Sequence, residues 1–281
     1  MTEEVVRANG VELCVETFGS PEDAAVLLIA GMTGSMDNWG DGFCAGLAAR
    51  GRFVIRYDHR DTGRSVAYPP GEPGYTGRDL AEDAVGVLDA LGVARAHVVG
   101  LSMGGGIGQV LALDHPDRVA TLTLVATSPV VPTPHELPPP APSLAAYFAA
   151  GGTPEPDWTS RESVVEYLVA GNRPFLGTHP VDEDAARALA GRVFDRSPNI
   201  AGSNNHVHAA GGGESRSRLA DVVAPTLVAH GELDPLFPLA HGEALVAEIP
   251  GAILLVLPGT GHELPAAVWG LFTDRLVEHT A

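Results

Sequence analysis

Residues 97–105 read His97-Val98-Val99-Gly100-Leu101-Ser102-Met103-Gly104-Gly105, and this stretch decides the fold. The apolar run 96–99 has the length and composition of a buried strand, and 103–114 reads as a helix. Between them lies Gly-x-Ser-x-Gly. A sharp strand-to-helix turn strains the backbone of its middle residue, and only small neighbours two positions before and after it avoid collision. The Ser102 hydroxyl is then exposed at the carboxyl end of a sheet, above a helix N-terminus. The pattern alone recurs by chance; the strand before it and the helix after it make it specific. The helix also carries Gly104, Gly105, Gly106 and Gly108. Each glycine in a helix interior costs about 1 kcal/mol against alanine, so four of them imply a close backbone approach. A dinucleotide-binding turn would read Gly-x-Gly-x-x-Gly, and Ser102 stands where its second glycine belongs.

Outward from this stretch, 11–18, 26–30, 53–57, 119–125, 226–230 and 253–257 read as strands, and 79–91, 239–248 and 265–279 as helices. Continuous apolar strands alternating with helices predict an α/β fold with a mostly parallel central sheet flanked by helices on both faces. The alternation breaks at Pro129. Seven prolines fall within 129–142, so the chain leaves the core through a stiff extended segment. Residues 143–150, 160–170 and 182–195 look helical, and Gly211-Gly212-Gly213 offers a flexible return. The expected organisation is a core of 1–128 and 219–281, with 129–218 inserted between two core strands as a mainly helical cap. A Pro-rich run can mimic a ligand of Pro-recognising domains; the edge of a lid is the simpler reading here. A chain of 281 residues accommodates one such domain with its insertion.

A formal charge of −18 argues against nucleic acid and anionic membrane as partners, since both need a basic patch. All 17 basic residues are arginine. Schiff-base chemistry, a lysine base and a P-loop are thereby excluded. No apolar run reaches the roughly 18–20 residues of a membrane span. The acidic start Met1-Thr2-Glu3-Glu4 lacks the basic-then-apolar order of a signal peptide, so a cytoplasmic protein is expected. In that compartment Cys14 and Cys44 read as buried thiols rather than a disulfide.

A serine hydroxyl needs a base within hydrogen-bond reach. Among 11 histidines, His262 in Pro258-Gly259-Thr260-Gly261-His262-Glu263 lies on the loop after the last predicted strand, at the sheet edge where Ser102 emerges. His97 and His230 fall inside predicted strands and read as buried structural residues, and His115 ends the helix far from the hydroxyl. His206 and His208 form a His-x-His that could bind metal, but no third ligand accompanies it; no metal or cofactor is expected. The acid that orients the base should follow a strand between Ser102 and His262. Asp234 in Gly231-Glu232-Leu233-Asp234-Pro235 is preferred, with Glu232 as the alternative. An acyl-transfer site also needs preset oxyanion donors. The backbone N–H of Met103, next to the nucleophile, should be one. Met32, in Ala30-Gly31-Met32-Thr33-Gly34 after strand 26–30, should supply the other.

Taken together these residues resemble serine esterases of the α/β-hydrolase superfamily over essentially the whole chain, in the family's order Ser…Asp…His. Within it, Arg56-Tyr57-Asp58-His59-Arg60-Asp61-Thr62-Gly63-Arg64-Ser65, Val98–Gly104 and Gln109–His115 are similar to the actinobacterial aclacinomycin methylesterases. Many relatives carry His-Gly where this chain has Ala30-Gly31. The resemblance implies hydrolysis of a small-molecule carboxylic ester through an acyl-enzyme, without a cofactor. A large cap implies a moderately large apolar ester or lactone, a polyketide methyl ester among the candidates. Haloalkane dehalogenase and epoxide hydrolase chemistry both use an aspartate where this chain has Ser102. A C–C bond hydrolase or a perhydrolase of the haloperoxidase type would share the triad. A non-catalytic ligand-binding protein on this fold would usually lack one of its members.

Overall fold

In the computed structural model, which describes residues 2–209 and 218–281, the strand before Ser102 lies in the middle of an eight-stranded sheet. In chain order the elements are β1 (Thr2–Ala8), β2 (Val11–Phe18), β3 (Ala24–Ile29), α1 (Asp41–Ala48), β4 (Arg52–Tyr57), α2 (Gly77–Ala90), β5 (Ala96–Leu101), α3 (Met103–Asp114) and β6 (Val119–Val125). Four helices come next, α4 (Pro142–Ala149), α5 (Arg161–Asn172), α6 (Glu183–Arg196) and α7 (Asn205–His208), before β7 (Thr226–Gly231), α8 (Ala240–Glu248), β8 (Ile253–Leu257) and α9 (Trp269–His279). The strand order is β1-β2-β4-β3-β5-β6-β7-β8. Only β2 runs against its neighbours; β4 to β8 pair in parallel.

The continuous apolar strands reflect burial on both faces. Successive side chains on a strand point to opposite sides. Leu27, Ile29, Ile55, Val98 and Leu124 accordingly pack with Leu80, Leu88, Ile107 and Leu111 of α2 and α3. Val26, Leu28, Val54, Val99 and Val125 pack on the other side with Phe43 and Leu47 of α1 and Phe272 and Leu276 of α9. Each fully buried side chain of this size is worth roughly 1.5–3 kcal/mol. Helix α2 starts on a capping box: the Asp79 N–H donates to Thr76 Oγ1, and the Asp79 carboxylate accepts from the Thr76 N–H at 2.8 Å. It ends at Gly92, where φ is +70°.

Three elements escape the sequence reading, one of them the four-residue α7, which is too short to show a helical period. Strand β1 is an edge strand whose Val5 is exposed, so it carries no apolar alternation. Helix α1 is short and contains Gly42 and Gly46, which blurs its helical signal. The expected helices at 143–150, 160–170 and 182–195 correspond to α4, α5 and α6 within the insertion between β6 and β7. The Gly211–Gly213 return lies outside the described residues.

The insertion is tied to the core by polar contacts as well as apolar ones. Helices α5 and α6 pack on each other through Val165, Val169 and Ala190. Arg196, at the end of α6, reaches Asp37 at 2.5 Å and Asp58 at 2.9 Å, two buried carboxylates. Asn205 Nδ2 donates to Asp61 Oδ2 at 3.0 Å, and Asn199 Nδ2 donates to the Tyr68 carbonyl at 2.9 Å. The Arg56–Ser65 stretch is thus largely a buried structural loop, with Arg60 paired to Asp83 at 2.7 Å. Among the described residues no helix is long and apolar enough to cross a membrane. Cys14 and Cys44 are free and buried, and burial pushes both thiols up to about 12.

Candidate active site

Ser102 occupies the turn between β5 and α3 with φ +52° and ψ −115°. A non-glycine residue held there stores roughly 1–3 kcal/mol of strain and persists only where its surroundings over-determine it. The Ser102 N–H donates to the Val125 carbonyl at 2.8 Å. Its own carbonyl accepts from Thr127 Oγ1 at 2.8 Å and from the Gly106 N–H at 3.1 Å. A Cβ on Gly100 would overlap the Gly104 carbonyl, and one on Gly104 would overlap the Ile29 carbonyl. The close approach expected from the glycine-rich helix is therefore present at the turn itself.

His262 and Asp234 arrive on the loops after β8 and β7. His262 Nε2 lies 2.9 Å from Ser102 Oγ, and His262 Nδ1 lies 2.8 Å from Asp234 Oδ2. Asp234 is buried, and its other oxygen, Oδ1, accepts the Leu236 and Phe237 N–H groups, each at 2.9 Å. The carboxylate can only accept, so Nδ1 carries the hydrogen and the Nε2 lone pair faces the Ser102 hydroxyl. Phe237 packs edge-on against the imidazole with ring centroids 5.4 Å apart. Glu232, the alternative acid, is exposed and accepts from the Gly259 N–H at 2.9 Å, away from the imidazole. His230, in β7, donates from Nε2 to the Phe237 carbonyl at 2.7 Å and steadies the turn that carries Asp234.

The first N–H groups of a helix have no intrahelical acceptor, which leaves the Met103 N–H, directly after Ser102, free to receive an anion. The Ala30–Gly34 loop faces it: a Cβ on Gly31 would touch Ser102 Cβ at 3.5 Å. Met32 and His262 both line a cleft of about 470 Å³, whose other walls include Trp39, Phe43, Leu168, Phe175 and Trp269.

Sequence reasoning missed the contribution of the insertion. The Phe175 carbonyl accepts the His262 N–H at 2.8 Å, and the Thr178 N–H donates to the Gly259 carbonyl at 2.8 Å. The Gly177 N–H donates to Glu263 Oε1 at 2.9 Å. The loop carrying His262 is thus laced to the insertion largely by backbone groups, which every residue type possesses, together with the Glu263 and His179 side chains. The His-x-His fares differently from a metal site. His206 is buried, with both ring nitrogens engaged by backbone at Thr33 and Arg60, and no cluster of three potential metal ligands occurs among the described residues.

Several histidines are held neutral by burial. Desolvation first, and then the neighbouring His206, take His59 down to about 3. Burial also lowers His206 and His230. An unfolded histidine titrates near 6.5, so below that pH the unfolded chain binds protons the native state refuses. Stability is therefore fully present above about pH 6.5 and is lost as pH falls, for His59 down to about 3. For His59, between about 3 and the unfolded value, the slope approaches about 1.4 kcal/mol per pH unit, and His206 and His230 add in the same direction. Urea unfolding is expected to show a midpoint that drops steadily from pH 7 to pH 5, with a shallower drop in His59→Phe. A midpoint independent of pH over that range contradicts the assignment.

The model of the alpha/beta hydrolase fold matches residues 24–265. Rhodomycin D methylesterase DauP of Streptomyces sp. (strain C5) is 35% identical, the alignment covering 100% of this chain and 98% of that protein. Rhodomycin D methylesterase DnrP of Streptomyces peucetius is 34% identical with the same coverage. The crystal structure of the enol-lactonase from Burkholderia xenovorans LB400 superposes with a TM-score of 0.73 at 25% identity, over 98% of this chain and 99% of that one.

Proposed function

Because this chain belongs to the α/β-hydrolase family, we propose that it is a serine carboxylic ester hydrolase that cleaves the methyl ester of a moderately large, mainly apolar polyketide through an acyl-enzyme. The observation that carries the reading is the continuous relay Ser102–His262–Asp234, at 2.9 and 2.8 Å, on a strained turn. Ser102 Oγ attacks the ester carbonyl carbon while His262 Nε2 takes its proton. The carbonyl oxygen becomes an oxyanion received by the Met32 and Met103 N–H groups. Collapse expels the methoxy group, which leaves as methanol with the proton from His262. Water then attacks the acyl carbon as His262 takes its proton; the bond to Ser102 Oγ breaks, His262 returns the proton to that oxygen, and the free acid departs. Residues 129–218 act as the cap that selects the acid portion.

The choice of a methyl ester is supported by the names of DauP and DnrP, aligned over the full chain, and by the aromatic-walled cleft beside His262. The test is a panel of aromatic polyketide methyl esters, their ethyl esters, enol-lactones and vinylogous 1,5-diketones, with products identified by mass spectrometry. Release of methanol and a free acid from the methyl esters, at a kcat/KM at least tenfold above the rest, is the expected result. Preference for the lactone or the diketone replaces this reading with lactone or C–C bond hydrolysis.

A further inference from the structure

Building on the acyl-transfer reading above, we propose that His206 is a positioning residue for the oxyanion loop: by bridging the Thr33 N–H and the Arg60 carbonyl, it holds Gly31–Met32 so that the Met32 N–H points at the substrate's carbonyl oxygen. His206 comes from α7, at the end of the insertion. Its Nδ1 accepts from the Thr33 N–H at 2.9 Å, and its Nε2–H donates to the Arg60 carbonyl at 2.8 Å. Only the neutral ring protonated on Nε2 makes both bonds, because Nδ1 faces a donor and Nε2 an acceptor.

The loop it grips needs an external restraint. Thr33 is not glycine yet sits at φ +61°, a conformation a side chain adopts only when its surroundings impose it. The Gly34 N–H donates to the Gly31 carbonyl at 3.1 Å and closes the turn locally, but this bond does not fix the turn relative to Ser102. Two imidazoles do that. His59 Nε2 donates to the Ala30 carbonyl at 3.1 Å, on one side of Gly31–Met32, and His206 takes the Thr33 N–H on the other. The two rings meet edge to face with centroids 5.6 Å apart, and Tyr75 lies edge-on to His206 at 6.3 Å. Asp61 anchors the surrounding frame, its Oδ2 accepting from Tyr75 Oη at 2.7 Å and from Asn205 Nδ2 at 3.0 Å. A donor is useful to a transition state only if it is already aimed when charge develops. The insertion therefore supplies part of the catalytic geometry besides selecting the substrate.

The test measures kcat and KM for a p-nitrophenyl ester, together with the affinity of an aryl trifluoromethyl ketone, whose adduct places an oxyanion in the hole. Losing a whole oxyanion donor costs about 10²–10³ in kcat, so misaiming one should cost less. His206→Met is expected to lower kcat by roughly 10- to 100-fold, leave KM within about threefold, and weaken the ketone by the same factor as kcat. His206→Gln, which retains a donor and an acceptor, should recover most of both. A folded His206→Met protein that keeps kcat and ketone affinity overturns the proposal, as does one that loses KM while kcat stands. Should His206→Met fail to fold, replacing Thr33 by its α-hydroxy acid deletes the N–H alone. A tenfold loss of kcat there supports the bridge, and no loss refutes it. Wild-type protein inactive on every ester overturns the acyl-transfer reading instead, before any variant is compared.

Discussion

Ser102→Ala is expected to reduce kcat/KM for a short-chain p-nitrophenyl ester by about 10⁵–10⁶-fold, while the thermal midpoint stays close to that of the wild type. The two parts of this expectation have separate physical origins. In the proposed mechanism the hydroxyl is the atom that bonds to the acyl carbon, and neither a thiol nor an amine stands ready to replace it: both cysteines are buried elsewhere with thiols pushed up to about 12, and the chain has no lysine. The binding cleft and the proposed oxyanion donors survive the substitution, so a modest acceleration of attack by water is expected to remain. Folding, in contrast, depends on the main chain at this position. The strained turn is held by the Ser102 N–H and carbonyl, through Val125, Gly106 and Thr127, and alanine keeps both groups. The side chain makes one hydrogen bond, to His262, worth about 1 kcal/mol. An aryl phosphonate should add covalently to Ser102 in the wild type and nowhere in the variant, as read by peptide mass spectrometry. Substantial activity in Ser102→Ala, or phosphonate on another residue, removes Ser102 from the nucleophile's role.

The residues of this relay were legible in the sequence because each stands on a loop at the carboxyl end of a strand with a strong apolar signature. Strands 96–101, 226–231 and 253–257 are apolar runs that are readable locally, and the parallel sheet delivers the loops at their carboxyl ends to one edge. Strand order needed no separate inference, since any parallel arrangement brings Ser102, Asp234 and His262 to the same side. The rest was illegible for equally physical reasons. The bonds from Phe175, Gly177 and Thr178 to the His262 loop are mainly between backbone groups, which every residue type possesses. The docking of α6 by Arg196 on Asp37 and Asp58 joins positions far apart in the chain, and nothing local marks a partnered arginine. His206 was noticeable, but as half of a His-x-His whose spacing suggests metal; only its burial between Thr33 and Arg60 reveals a hydrogen-bonding role.

Asp234→Asn is expected to cost about 10⁴ in kcat, although the amide is nearly the same size and shape as the carboxylate. The cause is the direction of two hydrogen bonds. Oδ1 of Asp234 accepts from the Leu236 and Phe237 N–H groups. An asparagine must keep its carbonyl oxygen there, because turning the amide over would set its NH₂ against two donors. The NH₂ then replaces Oδ2 and donates toward His262 Nδ1. The ring is forced to carry its hydrogen on Nε2, which presents an N–H rather than a lone pair to Ser102 Oγ. The base is in place but in the wrong tautomer, and it also lacks the charge that stabilises the imidazolium as it forms. The variant should therefore fold normally, bind the trifluoromethyl ketone weakly, and acylate about 10⁴-fold more slowly in single-turnover measurements, with KM changed far less. Glu232→Gln provides the contrast. Glu232 only accepts from the Gly259 N–H, a bond the glutamine carbonyl can also make, so acylation should stay within about threefold of the wild type. The reverse pattern, a severe loss in Glu232→Gln with Asp234→Asn nearly intact, would assign the orienting carboxylate to Glu232 and require the loop after β7 to rearrange before chemistry.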